Sequence, residues 1–273
     1  MWRWMQTLLV NGALLLGAAL TLFPLLWMLS VSLMPAMDST QIPPPLLPDS
    51  PTLEHYKVLF ERLKLGRYVL NSVGVALAVT ALSLLLNSMA GYAFAKLRFP
   101  GREWIFQALV ASMVLPAQIA MLPLFLMLKQ FGLVNSYGGL IVPGMASIFG
   151  IFLIRQYALS IPNSLLDAAR VDGAGEFRIY WSVVLPLLKP ILVTLAIFTF
   201  LGCWNDFMWP LILLADQDLY TLPVALANLM GEHAQDTEMM MAGSVLTIAP
   251  VLLMFLLLQK YYIDGLMLGG VKE

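Results

Sequence analysis

Charge, cysteine and histidine are all scarce in this chain. Of its 273 residues only 11% are charged, against roughly 25% in soluble globular domains. Apolar residues make up 60%, and the mean hydropathy is +0.83. A water-soluble globule is thereby excluded. The 15 basic and 16 acidic residues nearly cancel, so nothing points to a nucleic-acid partner. The one cysteine, Cys203, excludes an internal disulfide and a cysteine-based metal site. It sits in an apolar run and reads as a small core residue facing a neighbouring helix. His55 and His233 are far apart in polar stretches and read as solvated side chains. There is no G-x-x-x-x-G-K-[ST] loop, so this chain carries no ATP site of that kind. The absence of H-E-x-x-H, G-x-S-x-G and any Cys/His cluster leaves no catalytic residue, cofactor or metal site to name.

What the chain has instead is apolar runs long enough to cross a bilayer, which takes about 20 residues. Six are expected: Leu8–Met34, Tyr68–Phe94, Glu103–Leu128, Tyr137–Tyr157, Leu187–Leu214 and Met239–Leu258. The first exceeds the roughly 7–15 apolar residues of a secretory signal and reads as a retained anchor. Residues 35–66 contain Pro35, Pro43, Pro44, Pro45, Pro48 and Pro51 and cannot lie in lipid. Within them Leu53 to Leu65 suits a short amphipathic helix. This gives a division into an anchor with its external loop, 1–66, and a five-span core, 67–273.

The second span is rich in Gly and Ala, and its Asn71, Ser83, Asn87 and Ser88 suit hydrogen bonds between helices. Pro116 and Pro123 bend the third span, with Gln118 between them. The fifth contains Asp206 in G-C-W-N-D-F-M-W-P-L. A carboxylate at bilayer depth costs about 2.5–3.5 kcal/mol and so faces protein or water. With Trp204 and Asn205 it offers an aromatic face and hydrogen-bonding groups suited to a hydroxylated solute. A packing role against a neighbouring helix or subunit competes with that reading, and Trp209 suits an interface belt. The chain ends in K-Y-Y-I-D-G-L-M-L-G-G-V-K-E, whose glycines make a flexible tail.

Six spans put both termini on one side. With termini inside, Arg3, Lys96, Arg98, Arg102, Arg155, Arg170, Arg178, Lys189, Lys260 and Lys272 lie inside. Lys57, Arg62, Lys64, Arg67 and Lys129 lie outside. The positive-inside rule favours that orientation. It also places the polar stretch Pro162–Pro190 in the cytoplasm. There Ser164 and Asp167 have capping-box spacing, so a short helix is expected to begin near Ser164. Leu165, Leu166, Ala168 and Ala169 form its apolar face, and Gly173 suits a left-handed closing turn beside Asp172 and Gly175. Such a face can dock into a partner's groove.

D-A-A-R-V-D-G-A, then Phe177 and L-P-L-L-K-P, resembles the cytoplasmic EAA loop of ABC importer permeases. Met113–Pro143, W-N-D-F-M-W-P-L and G-L-M-L-G-G-V-K-E resemble the carbohydrate branch of that family. The resemblance covers nearly the whole chain, and the size and six-span plan resemble the second permease subunit of maltose-type importers. It implies an all-α integral membrane protein with the type I ABC importer permease fold, six transmembrane helices and cytoplasmic termini. It implies a bacterial or archaeal plasma membrane, the inner membrane in a Gram-negative cell. The implied partners, besides membrane lipid, are a second permease, two cytosolic ATPases that bind ATP and Mg, and an external substrate-binding protein. ATP hydrolysis then belongs to other subunits, and this chain is a transport subunit for a sugar or oligosaccharide. Leu165, Leu166, Asp167, Ala168, Ala169, Asp172, Gly173 and Ala174 become the ATPase-coupling residues. Trp204, Asn205, Asp206 and Gln118 become the substrate path. The family usually has Glu where Asp167 stands, one methylene longer. Glycerol-3-phosphate or another polyol is the alternative cargo, although no Arg or Lys cluster lies within the spans. A self-sufficient secondary transporter is the alternative mechanism, for which Asp206 is the sole coupling carboxylate and no internal repeat is found.

Overall fold

A computed structural model describes residues 2–232 and 236–270, with side chains from Trp4 to Leu229 and from Asp236 to Leu257. His233 and the last three residues of the tail lie outside them. The described chain is helical, with no strand among the described residues. Four helices are long and apolar enough to cross a membrane, or up to six segments if each of two sharply bent pairs counts as one span. The chain divides into two compact units.

One unit comprises residues 1–67 and 225–252. It contains α1 (Trp2–Val31), α2 (Glu54–Glu61), and parts of α13 (Leu222–Glu232) and α14 (Thr237–Gly270). Almost every residue of α1 up to Pro24 is exposed within the chain, including Leu8, Leu15 and Leu20. An apolar stretch left so exposed belongs in lipid or against another subunit. After α1 the backbone is irregular, as six prolines require, and is held by Ser30 Oγ on Leu46 O (2.6 Å) and Thr52 N on Leu33 O (2.8 Å). The expected amphipathic helix is present but shorter, at Glu54–Glu61. His55 is not solvated. It is 6% exposed, its Nε2 lies 2.9 Å from Met34 O, and its Nδ1 lies 3.9 Å from an Asp236 carboxylate oxygen. The helical period turns it inward beside Leu59, and the Met34 carbonyl supplies the partner that burial demands. Glu238 is also buried and accepts a hydrogen bond from Ser39 N at 2.9 Å.

The other unit comprises residues 68–224 and 253–273. Most of α3 (Leu65–Lys96) runs through it as an uninterrupted helix. The remaining apolar runs are broken. The expected third span is α4 (Arg102–Ser112) and α5 (Ala117–Gln130), which meet at 106°. Pro116 does more than bend this segment: it is the N-cap of the second helix, and the four residues 113–116 are not helical. Leu133 N bonds back to Leu128 O at 2.9 Å and Gly132, at φ +68°, closes α5. The fourth run is α6 (Tyr137–Gly144) and α7 (Ile148–Leu159), each started by a serine, Ser136 or Ser147, whose hydroxyl accepts from a backbone N–H three residues on.

After α8 (Asn163–Val171) come α9 (Glu176–Ile179), a π-turn (Tyr180–Val184) and α10 (Leu185–Leu187). These turn by 78° into α11 (Lys189–Trp204). The fifth run therefore stops at Trp204, ten residues before its expected end, and resumes as α12 (Met208–Leu213). The α14 backbone is helical to Gly270, so most of the expected flexible tail continues the last helix.

Candidate functional site

Two regions of this unit hold the residues that the sequence singles out. The first is the loop from Pro162 to Pro190. Its helix begins at Asn163, near Ser164 as expected, but Pro162 is its N-cap, without a side-chain bond. The capping box does not form because Asp167 bonds to Arg170 instead, at 2.7 Å. The C-terminus closes as expected. Gly173 has φ +80°, its N–H donates to Arg170 O, and Ala174 N donates to Ala169 O, both at 3.0 Å. This pair of bonds is the Schellman closure, and it needs a residue free to adopt the left-handed conformation.

The expected apolar face divides in two. Leu166 is 1% exposed and packs inward with Ile161, Ile179 and Tyr180, joined by Ala169 and Ala174. Burying a leucine of that kind stabilises by roughly 1.5–3 kcal/mol, so Leu166 roots the helix in its own protein. The outward apolar groups are Leu165, Ala168, Val171 and Phe177, with Val171 88% exposed. Asp167 and Asp172 are exposed beside them. Val171 escaped notice in the sequence, although its place one turn after Asp167 could have marked it.

Arg170 bridges two acids, with Nη1 on Asp167 and Nε on Glu176 at 2.8 Å. These bonds raise the guanidinium above its ordinary value and, led by Arg170, hold the Glu176 carboxyl below 4.5. Glu176 also accepts from Tyr92 Oη of α3 at 2.8 Å. Beside the loop lies a polar groove of about 840 Å³, lined by Lys96, Arg98, Arg102, Asp167, Arg170 and Glu176 among others.

The second region is an open cavity of about 530 Å³. It is lined by Val79 and Ser83 of α3, Met121 and Leu124 of α5, Pro143 of α6, and Ser147 and Phe149 of α7. Phe198, Thr199 and Cys203 of α11, with Asp206 and Trp209, complete most of the wall. Among the described residues Asp206 is its only charged lining residue. It lies in the break after α11, and its Oδ1 accepts from Trp209 N at 3.3 Å, in the first turn of α12. A broken helix thus supplies the donor that makes a carboxylate tolerable in an apolar run.

The other expected path residues are elsewhere. Trp204 is 1% exposed and stacks on Phe200 at a 6.1 Å centroid distance, so it presents no face to the cavity. Asn205 is exposed and donates to Leu201 O at 2.9 Å. Gln118 is exposed and does not line the cavity. Trp209 is not an interface residue: it is 8% exposed and its Nε1 donates to Gly139 O at 3.2 Å. Cys203 is free and half-buried in the wall. Thr199 and Phe198 reach the cavity one turn before Cys203 and carry no sequence signal of their own.

Residues 83–264 match the family described as the binding-protein-dependent transport system inner membrane component. The chain is 38% identical over 258 residues to the arabinooligosaccharides transport system permease protein AraQ of Halalkalibacterium halodurans, covering 93% of this chain and 92% of that protein. It is 34% identical over 254 residues to the diacetylchitobiose uptake system permease protein NgcG of Streptomyces coelicolor, covering 92% and 84%. A chain in the crystal structure of a bacterial ABC transporter involved in the import of the acidic polysaccharide alginate is similar at 28% identity. It superposes with a TM-score of 0.82 over 95% of this chain and 98% of that one.

Proposed function

Because the chain belongs to the family of binding-protein-dependent transport system inner membrane components, we propose that it forms half of the path through which an ATP-driven importer takes up a neutral sugar or oligosaccharide. It is a multi-pass membrane permease subunit, and the chemistry of ATP belongs to other chains. The partners proposed are a second permease, two cytosolic ATPases that hold ATP and Mg, and an external binding protein that delivers the solute. The sugar class is supported by the substrates named for AraQ and NgcG. A cavity whose only charge is a carboxylate also suits a neutral solute better than a phosphate ester.

The observation that carries this reading is the division of the loop helix. Leu166 anchors it inward while Leu165, Val171 and Phe177 stay exposed on the other side. A short helix so rooted passes a push on its outer face to its own protein, and an ATPase cleft is the surface proposed to supply that push. We place Asp167, Ala168, Ala169, Asp172, Gly173 and Ala174 with them as the coupling element. Asp206 is the proposed contact for solute hydroxyls, and Trp204, Asn205 and Gln118 stay in the proposed path although they do not line this cavity. With the two bent pairs counted as spans, the six-span arrangement has cytoplasmic termini, residues 1–66 as anchor and external loop, and 67–273 as the core.

Purification in mild detergent tests the assignment: an ATPase subunit should co-purify in stoichiometric amount. Recovery of a lone chain that still moves solute into vesicles would contradict it. Orientation is tested with single cysteines at Ser50 and Ser164 in a Cys203→Ser background. An impermeant reagent added outside cells should label only the first.

A further inference from the structure

On the transport reading above, we infer that α3 is the rod that joins the loop to the cavity, with Ser88, Tyr92 and Lys96 as its positioning residues. These three stand four residues apart, on one ridge of a helix that is otherwise largely apolar. Each holds a different part of the loop. Ser88 Oγ lies 2.7 Å from Tyr180 Oη in the π-turn. Tyr92 Oη donates to Glu176 at 2.8 Å, and Glu176 holds Arg170 of α8. Lys96 Nζ donates to Ile161 O at 2.6 Å and to Asn163 Oδ1 at 2.9 Å, at the first residue of α8. The loop is therefore bonded to α3 at its start, through its middle and near its end.

The neighbouring ridge of the same helix faces the cavity. Val79 and Ser83 line it. Asn87 Oδ1, one turn further on, accepts from Ser147 N at 3.0 Å and so pins the start of α7, whose cap Ser147 also lines the cavity. Gly91 follows, where an added Cβ would lie 2.5 Å from Ile154 Cγ2 and 3.0 Å from Arg155 N. That close approach packs α3 tightly on α7. A displacement of α8 then moves both ridges as one body, and the cavity wall moves with them.

Cys203, the only cysteine of the chain, lies in that wall and serves as the reporter. The assembled transporter, in lipid nanodiscs, is labelled with N-ethylmaleimide with and without a non-hydrolysable ATP analogue. In the unaltered complex the nucleotide should change the Cys203 labelling rate by about fivefold or more. With Tyr92→Phe and Lys96→Met together the change should fall below about twofold, while the nucleotide-free rate stays the same. A variant complex that keeps the full nucleotide effect overturns the inference. So does one whose nucleotide-free rate shifts while the ratio is kept, because that marks plain packing. If the double variant does not assemble, Tyr92→Phe alone, which keeps the buried ring, should at least halve the ratio, and an unchanged ratio again overturns it. An unaltered complex without any nucleotide effect overturns the transport reading itself, and the inference with it.

Discussion

The loop between α7 and α11 and the cavity are built by opposite means. The loop is one continuous segment, closed on itself by Gly173 and Arg170, with Leu166 rooting its first helix and Ile179, Val184 and Leu188 buried after it. The cavity is a gap among six helices from distant parts of the chain, and the one charged residue among its described lining sits in a helix break. A local device tolerates little change at a few positions. A distributed wall tolerates much change at many.

That contrast predicts the sizes of effect. The largest belongs to Gly173. Any residue with a Cβ pays about 1–2 kcal/mol to hold φ +80°, and a β-branched one pays most. No atom lies within 4 Å of an added Cβ there, so the cost is conformational, not steric. Gly173→Val should leave membrane insertion intact and reduce uptake by about tenfold or more, whereas Gly173→Asn, which accepts the left-handed turn, should keep most of it. Equal uptake by both variants would remove the closure from the account.

Asp206 comes next, because two roles meet there. Asn retains an oxygen able to accept from Trp209 N, so Asp206→Asn should preserve the yield of complex. Its uptake should nevertheless fall severalfold, by about 1 kcal/mol in transition-state terms, if the carboxylate meets solute hydroxyls. Asp206→Ala should lower yield as well. Normal uptake by Asp206→Asn would confine the residue to starting α12.

A smaller effect concerns acid. The Glu176 carboxyl is held below its ordinary value, so the stability it lends the loop is present above pH 4.5 and is lost as pH falls through the depressed value. Relative to the intrinsic rate at each pH, amide exchange of residues 163–176 should stay slow at neutral pH and rise below about pH 4.5. In Glu176→Gln it should be raised throughout. The smallest effect belongs to Gln118, exposed and outside the cavity wall. Gln118→Ala should change uptake by less than about twofold.

The same contrast explains what was legible in the sequence. The loop could be read because its signals are local: Gly173 lies in a polar run, and the closure it makes involves its immediate neighbours. The start of the loop helix was legible to within a residue but its cap was not, because Asp167 bonds to Arg170 and closes no capping box, a choice that spacing does not reveal. The spans were visible in composition, but their breaks were not. Pro116 was expected to bend a helix and instead caps the start of one, after three residues, 113–115, that have already left the helix before it. Trp204 and Asp206 are two residues apart, yet one stacks inside and the other reaches the cavity. The end of α11 between them turns the chain, and nothing in W-N-D announces that turn. His55 was hidden for a similar reason: its partners, Met34 O and Asp236, are 21 and 181 positions away.

The central claim is that the outer face of α8 meets a nucleotide-binding subunit while its inner face holds this chain. It is tested most directly by a photoreactive amino acid at Val171, which is 88% exposed, in the intact membrane. The account predicts a crosslink to an ATPase subunit whose yield changes when an ATP analogue is added, and none from the same group at buried Leu166. Crosslinks only to lipid or to this chain itself, in a membrane that still imports solute, would contradict it.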